Sequence, residues 1–484
     1  MSGVLSALEP REVFQYFEEI CAIPHGSTNT KEISDYCVNF AKEHNLKYVQ
    51  DEDGNVVIWK PATPGYENAE PIMIQGHLDM VCEKEADCDI DFEKDGLELQ
   101  LEDGIISAKG TTLGGDDGIA VAYALAILDS DTIPHPPLEA VFTIDEEIGL
   151  LGAASLDCSV LKSKKMLNID SEEEGYLLVS CAGGVTSTCY LPVERQKKDG
   201  MTMELTISGL NGGHSGVEID KGRANACQLL GRSLYMLQKE ISFDIIAVNG
   251  GLKDNAIPRE ASAVILVDAD TDMTAFENQV TKLQEIYKKE FLSVDPDVTV
   301  TLTEKADGNE MPMTKKATDK VIVALLNLPG GIQRMSADVE GLVQTSLNLG
   351  ILETKEKEVV FSFSVRSSVG TEKEEVVNRM TSLMEMLGGR VDCKGDYPAW
   401  EYRQDSPLRD LMVRVYEEKY GKKPVIQAIH AGLECGFFSG KIPGLDCVSF
   451  GPDMKDIHTP KERMDAASVK RTWDYILEIL KQSK

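Results

Sequence analysis

No run in this 484-residue sequence is long and apolar enough to span a bilayer. The longest uninterrupted apolar stretch, Ile119 to Leu128, falls well short of the roughly 20 residues that a membrane helix needs. Basic charge is scarce: 49 Lys and Arg against 81 Asp and Glu leave a net charge of −32. A surface of that sign repels phosphate backbones and anionic headgroups, so neither nucleic acid nor a membrane is an expected partner. The N-terminal segment meets charge at Glu9, Arg11 and Glu12 before any apolar run develops, so it offers no secretory signal. No CxxC pair occurs among the 11 cysteines, and their number is odd, which argues against a disulfide framework. They read as reduced, mostly buried thiols, and the cytoplasm is the expected compartment.

What is present is a globular composition, 42% apolar and 27% charged, in a chain longer than one hydrophobic core usually supports. Strand-like runs at 56–60, 71–75, 105–109, 138–144 and 165–169 alternate with amphipathic stretches at 12–20, 31–44 and 117–128, the pattern of an α/β protein. From about Met201 to Val391 there are two similar successions of strand and long helix. The last stretch has helices at 408–419 and 468–482 around a strand at 447–450. Potential metal ligands lie on both sides of the middle block. The expected organisation is therefore a discontinuous catalytic domain, residues 1–185 and 396–484, interrupted by a domain of residues 186–395.

Those potential ligands stand where strands end. His77 and Asp79 follow one strand. Asp116 and Asp117 lie between a strand and a helix start. Glu146 and Glu147 end another strand, and Asp170 ends a fourth. His458 follows the strand at 447–450 through a loop. Each has a plain structural reading by itself: a satisfied histidine, an N-cap, a surface pair of acids. Together they change the inference, because the carboxyl ends of strands in an open α/β sheet line one crevice. Carboxylates crowded there would repel and protonate unless cations neutralised them, and imidazole mixed with carboxylate suits zinc, with cobalt and manganese as alternatives.

The segments Gly76-His77-Leu78-Asp79-Met80, Gly110-Thr111-Thr112-Leu113-Gly114, Gly212-Gly213-His214-Ser215-Gly216, Asn255-Ala256-Ile257-Pro258 and His430-Ala431-Gly432-Leu433-Glu434-Cys435-Gly436 carry a resemblance. The chain resembles the M20 family of metallopeptidases, and within it the aminoacyl-histidine dipeptidase branch, essentially end to end. The resemblance implies a central mixed sheet flanked by helices, with an inserted α+β lid domain of two ferredoxin-like halves. It implies two zinc ions per subunit, one held by His77, Asp116 and Asp170, the other by Asp116, Glu147 and His458. Asp79 should bond the far nitrogen of His77, and a cis peptide should follow Asp116. Glu146 should act as general base and acid, His214 as an oxyanion donor that related dimers take from the neighbouring subunit, and Arg366 as the anchor of the substrate carboxylate. Asn255 and Gly432 should border the substrate, a dipeptide such as carnosine, and the chain should form a homodimer. For Arg366, Asn255 and Gly432 purely structural roles stay open, as they do for His25 and His430. So do two rival functions: a related amidohydrolase that deacylates N-acyl amino acids or cuts tripeptides, and a catalytically silent metal-binding protein.

Overall fold

Three short, largely apolar runs, Ile72–His77, Leu138–Thr143 and Lys165–Asn168, pair as parallel strands, with Ile72–His77 between the other two. Nearly every residue in them is buried, as parallel strands covered on both faces require. In the computed structural model, which describes residues 3–305 and 311–484, they form the centre of an eight-stranded mixed sheet. The order across it is Lys47–Gln50, Val56–Lys60, Leu138–Thr143, Ile72–His77, Lys165–Asn168, Asp446–Ser449, Tyr176–Cys181, Val425–Ile429. Asp446–Ser449 thus enters the interior of a sheet whose other central strands come from far earlier in the chain. It runs parallel to Lys165–Asn168 and antiparallel to Tyr176–Cys181.

The helix Gly115–Asp129 is apolar on every face and buried along almost its whole length, so it has to lie inside. It packs against Ile72–His77 on one side and the helix Arg11–Cys21 on the other, which contributes Val13, Phe14, Phe17 and Ile20 to the same core. The C-terminal helix Ala466–Gln482 packs on Pro407–Tyr420, where the Tyr475 hydroxyl donates to the Met412 carbonyl at 2.7 Å. Among the described residues no helix is long and apolar enough to cross a membrane.

The chain divides into two compact units, one made of Met1–Cys181, Tyr402–Ala428 and Leu433–Lys484, the other of Ala182–Glu401 and Ile429–Gly432. Against the boundaries expected from sequence, residues 182–185 and 396–401 go with the second unit, and so does Ile429–Gly432. This short segment goes with the second unit because the Ala182 N–H lies within reach of the carbonyls of both Ile429 and Ala431. The second unit is built on a nine-stranded sheet. Four of its strands run Thr299–Glu304, Met201–Ser208, Ala261–Val267, Phe243–Gly250, and four more run Val343–Thr354, Glu358–Ser367, Gly183–Pro192, Arg390–Tyr397, with Gly331–Met335 alongside Val343–Thr354. The two sets meet at a single registered pair, Gly250 with Leu352. The helices Ala226–Leu237, Met273–Glu290, Lys315–Asn327 and Gly370–Leu387 cover this sheet with apolar stripes that include Leu230, Leu234, Phe276, Val321 and Met380.

Candidate metal centre

His77 is the last residue of its strand, while Glu146, Glu147 and Asp170 stand just past the ends of Leu138–Thr143 and Lys165–Asn168. Because those three strands run parallel, their carboxyl ends open on one side, and the four side chains meet there. Asp116 joins them from the first turn of Gly115–Asp129, where its φ and ψ of −83° and 103° are not helical. The peptide between Asp116 and Asp117 is cis. His458 enters from the segment after Asp446–Ser449 with a φ of 60°, an uncommon value for a residue with a Cβ and one that clusters at functional sites.

Asp116 holds the middle. Its Oδ1 lies 3.1 Å from His77 Nε2 and its Oδ2 lies 3.2 Å from His458 Nε2, so the two oxygens of one carboxylate face two imidazoles. His77 Nε2 is also 4.0 Å from Asp170 Oδ1, and His458 Nε2 is 2.8 Å from Glu147 Oε1. Candidate ligand atoms of His77, Asp116 and Asp170 lie within 4.8 Å of one another, and so do those of Asp116, Glu147 and His458. His77, Glu146 and Glu147 form a third such grouping. His77 Nδ1 donates to the Asp79 main-chain carbonyl at 2.9 Å, whereas the Asp79 carboxylate, the partner expected from sequence, is farther away at 3.4 Å. With Nδ1 committed to that carbonyl, Nε2 is the nitrogen left to face a cation. The Asp79 carboxylate is instead occupied with the loop opposite. It accepts the Glu146 N–H at 2.9 Å, the Glu147 N–H at 3.3 Å and the Ser27 hydroxyl at 2.8 Å.

The electrostatics of this cluster ask for positive charge. Burial pushes Glu146 up to about 8, with Glu434, Glu147 and Asp116 adding to the shift and His77 opposing it. Burial, then Asp117 and Asp116, raise Asp170 well above the carboxylate range. Burial alone would lower His77, yet Asp116 and Asp79 hold it well above the usual imidazole value, and Asp116 and Glu147 raise His458 to about 10. Asp170 Oδ2 and Asp117 Oδ1 are buried and have no hydrogen-bond partner among the described residues. Buried carboxylates with raised pKa values beside imidazoles that they hold protonated fit a pair of divalent cations, which would take the place of the Nε2 protons.

The remaining expected residues lie in the second unit. His214 belongs to the two-residue strand Gly213–His214, paired with Ala256–Ile257. Its Nδ1 accepts the N–H groups of Gly216 and Val217 at 3.1 and 3.2 Å, which puts the ring proton on Nε2 and makes that atom a donor. Burial and the Arg366 charge lower its pKa, so the ring stays neutral. Arg366, near the end of Glu358–Ser367, donates from Nη1 to the Tyr397 hydroxyl at 3.1 Å, while its buried Nε–H has no partner among the described residues. His430 Nε2 lies 2.7 Å from Ser346 Oγ, in keeping with a structural role. Asn255 is exposed, with its carbonyl accepting the Ser215 N–H, and Gly432 is half-buried in the turn before Glu434.

Two further acids belong to the site: Glu434, expected from sequence only as part of the Gly432–Glu434 turn bordering the substrate, and Glu462, which was not expected there. Glu434 is fully buried, accepts from Gln75 and Thr143, and is pushed up to about 7 by burial. Glu462 is also buried and accepts main-chain N–H groups from the loop that carries Asp116. The signal for Glu434 was its place in the Gly432–Glu434 turn. Glu462 carries no local signal, since its partners lie 347–349 residues earlier in the chain.

Comparison with known proteins agrees with this architecture. The model of peptidase family M20/M25/M40 matches residues 73–482. The cytosol non-specific dipeptidase of Escherichia coli strain K12 is 38% identical over 480 residues, covering 99% of each chain. The crystal structure of aminoacylhistidine dipeptidase from Vibrio alginolyticus superposes with a TM-score of 0.94 at 37% identity, covering 99% of this chain and 98% of that one. Aminopeptidase PepT from Bacillus cereus ATCC 10987, at 16% identity and a TM-score of 0.58, is alike in fold alone.

Proposed function

The chain belongs to peptidase family M20/M25/M40, and from that premise we propose that it is a cytoplasmic, homodimeric dinuclear zinc dipeptidase that hydrolyses dipeptides, Xaa-His pairs such as carnosine among them. The observation that carries the reading is the Asp116 carboxylate, which turns one oxygen towards His77 and the other towards His458. His77, Asp116 and Asp170 would hold one cation, and Asp116, Glu147 and His458 the other. Zinc is favoured because the donors are imidazole and carboxylate, a set that cobalt and manganese also accept. The names of the two relatives that align end to end, one non-specific and one aminoacylhistidine, support a dipeptide as substrate.

Bound cations would lower the pKa of a water molecule and polarise the scissile carbonyl. Glu146 is the acid of the cluster left over from the two ligand sets, and its raised pKa suits an exchange of protons near neutrality. It takes the proton of the attacking water and delivers it to the leaving amine nitrogen. The Asp79 carboxylate aims that step by gripping the N–H groups of Glu146 and Glu147. His214, neutral and donating from Nε2, is suited to the oxyanion of the tetrahedral intermediate. Arg366, with a buried Nε–H that lacks an acceptor among the described residues, is suited to the free carboxylate that marks the end of a dipeptide, and Asn255 and Gly432 border the same substrate.

The test is hydrolysis of a panel containing carnosine, other Xaa-His and unrelated dipeptides, a tripeptide and an N-acyl amino acid, before and after chelation. Turnover of dipeptides that disappears with chelator and returns with added zinc is the expected result. Turnover indifferent to chelator removes the cations from the reaction, and preference for the tripeptide or the acylated substrate removes the dipeptide. Glu146→Gln should keep both metals while losing about 10²–10⁴ in kcat.

A further inference from the structure

Glu462 is only 3% exposed, yet among the described residues no Lys, Arg or His forms an ion pair with it. Its partners are main-chain amides. Oε2 accepts the N–H groups of Leu113 and Gly114 at 2.7 and 3.1 Å, and Oε1 accepts that of Gly115 at 2.9 Å, with the Asp116 N–H a further 3.5 Å contact. Successive N–H groups converging in this way form a nest of the kind that binds anions at helix N-termini, and here the anion belongs to the chain itself. The backbone is shaped for it: Gly114 has a φ of 67°, and a Cβ there would stand 2.9 Å from Met80 Sδ.

The carboxylate also stands four residues after His458, and its own N–H donates to the Thr459 carbonyl at 3.1 Å. Immediately beyond it, Arg463–Asp465 pairs with Ile105–Ala108 in a fixed register, Arg463 opposite Ser107 and Met464 opposite Ile106. One side chain therefore ties the loop that presents Asp116 to the segment that presents His458, two groups 3.2 Å apart that come from distant parts of the sequence.

We infer that Glu462 is a positioning residue that sets the separation of Asp116 and His458, and so the affinity of the cation site formed by Asp116, Glu147 and His458. The inference rests on the two-cation reading above. Removing a group that orients metal ligands typically costs about 10–100-fold in metal affinity. Because Glu462 faces backbone and not substrate, its loss acts on metal occupancy and leaves substrate affinity alone.

The experiment is a cobalt(II) titration of the metal-free protein followed by visible absorption, with kcat and KM on an Xaa-His dipeptide, for wild type, Glu462→Gln and Glu462→Asp. The expected result is two bound cobalt ions in wild type and at least tenfold weaker binding of one of them in Glu462→Gln. Glu462→Asp, which keeps the charge on a shorter arm, should fall in between. KM should stay within about twofold, and excess metal should restore most of the lost kcat. Two cobalt ions bound by the variants with wild-type affinity, or a kcat loss that excess metal does not rescue, overturns the role of Glu462 alone. Fewer than two cobalt ions in wild type overturns the two-cation reading and this inference with it. Hydrogen exchange of metal-free wild type supplies a check independent of variant folding: the amides of residues 113–115 should be strongly protected, and fast exchange there refutes the clamp.

Discussion

Replacing Asp79 by asparagine keeps the shape of the side chain and removes its charge, which isolates what that charge does. The group is 1% exposed and accepts three hydrogen bonds, from the Glu146 N–H, the Glu147 N–H and the Ser27 hydroxyl. The amide is best accommodated with its oxygen towards Glu146 and its NH2 in the place of Oδ2. Ser27 can then turn to accept, but the Glu147 N–H faces a donor and loses its partner. A bond to a charged acceptor contributes about 1.5–3 kcal/mol against about 1 for a neutral one, and a buried donor left unpaired costs about 1–3. One bond weakened from charged to neutral and one donor left unpaired come to about 1.5–5 kcal/mol, which at ~1.4 kcal/mol per tenfold corresponds to roughly 10–4,000-fold. The assay is kcat/KM on an Xaa-His dipeptide at saturating zinc, with metal content and thermal unfolding on the same preparations. The loss should fall mainly on kcat, with weaker metal binding because the mispositioned Glu147 is one of the proposed ligands. A variant within about threefold of wild type with both metals bound would refute the argument that Asp79 aims the base.

Gly76→Ala should destabilise the fold by about 1–3 kcal/mol in urea unfolding, since a Cβ would stand 2.6 Å from both Ala120 Cβ and Asp117 Oδ2; a change under ~0.5 kcal/mol would mean that this layer yields easily. Arg366→Lys should raise KM for dipeptides at least tenfold with kcat little changed, because the ammonium lacks the planar fork, and should blunt the preference for a free carboxylate over a C-terminal amide. If the amide substrate is discriminated as well as before, the carboxylate is read elsewhere. His214→Ala should lose about 10²–10³ in kcat while binding the same metal. A loss of metal instead would assign the ring to the cations and not to the oxyanion.

The strands that carry the site could be read from sequence because their signals are local. Ile72–His77, Leu138–Thr143 and Lys165–Asn168 are short apolar runs, each closed by an acid or a histidine, and their observed bounds lie within two residues of those expected. The convergence of His77, Asp116, Glu147, Asp170 and His458 followed from that pattern together with the family resemblance. What could not be read depends on distant pairing. Gly183–Pro192 opens on two glycines, and Val343–Thr354 interleaves Gln, Thr, Ser, Asn and Gly with its apolar residues, so neither shows clean alternation although each is paired on both sides in its sheet. Glu462 escaped for a related reason. A glutamate in a polar loop looks like surface until the amides of Leu113–Gly115, far away in sequence, are seen to surround it.

Filling the sheet with Asp446–Ser449 has a consequence for biosynthesis. Until that segment emerges from the ribosome, the sheet has an open slot beside Lys165–Asn168, and Tyr176–Cys181, whose neighbours in the sheet are Asp446–Ser449 and Val425–Ile429, does not yet have both of them. Such an open slot invites pairing with another chain, and filling it late means closing a very long loop. The unit of Ala182–Glu401 is complete in sequence well before then, apart from Ile429–Gly432, so the nascent polypeptide can mature in its middle while its beginning still waits. A product interrupted short of Asp446 is therefore a candidate for chaperone capture and not merely an enzyme without His458.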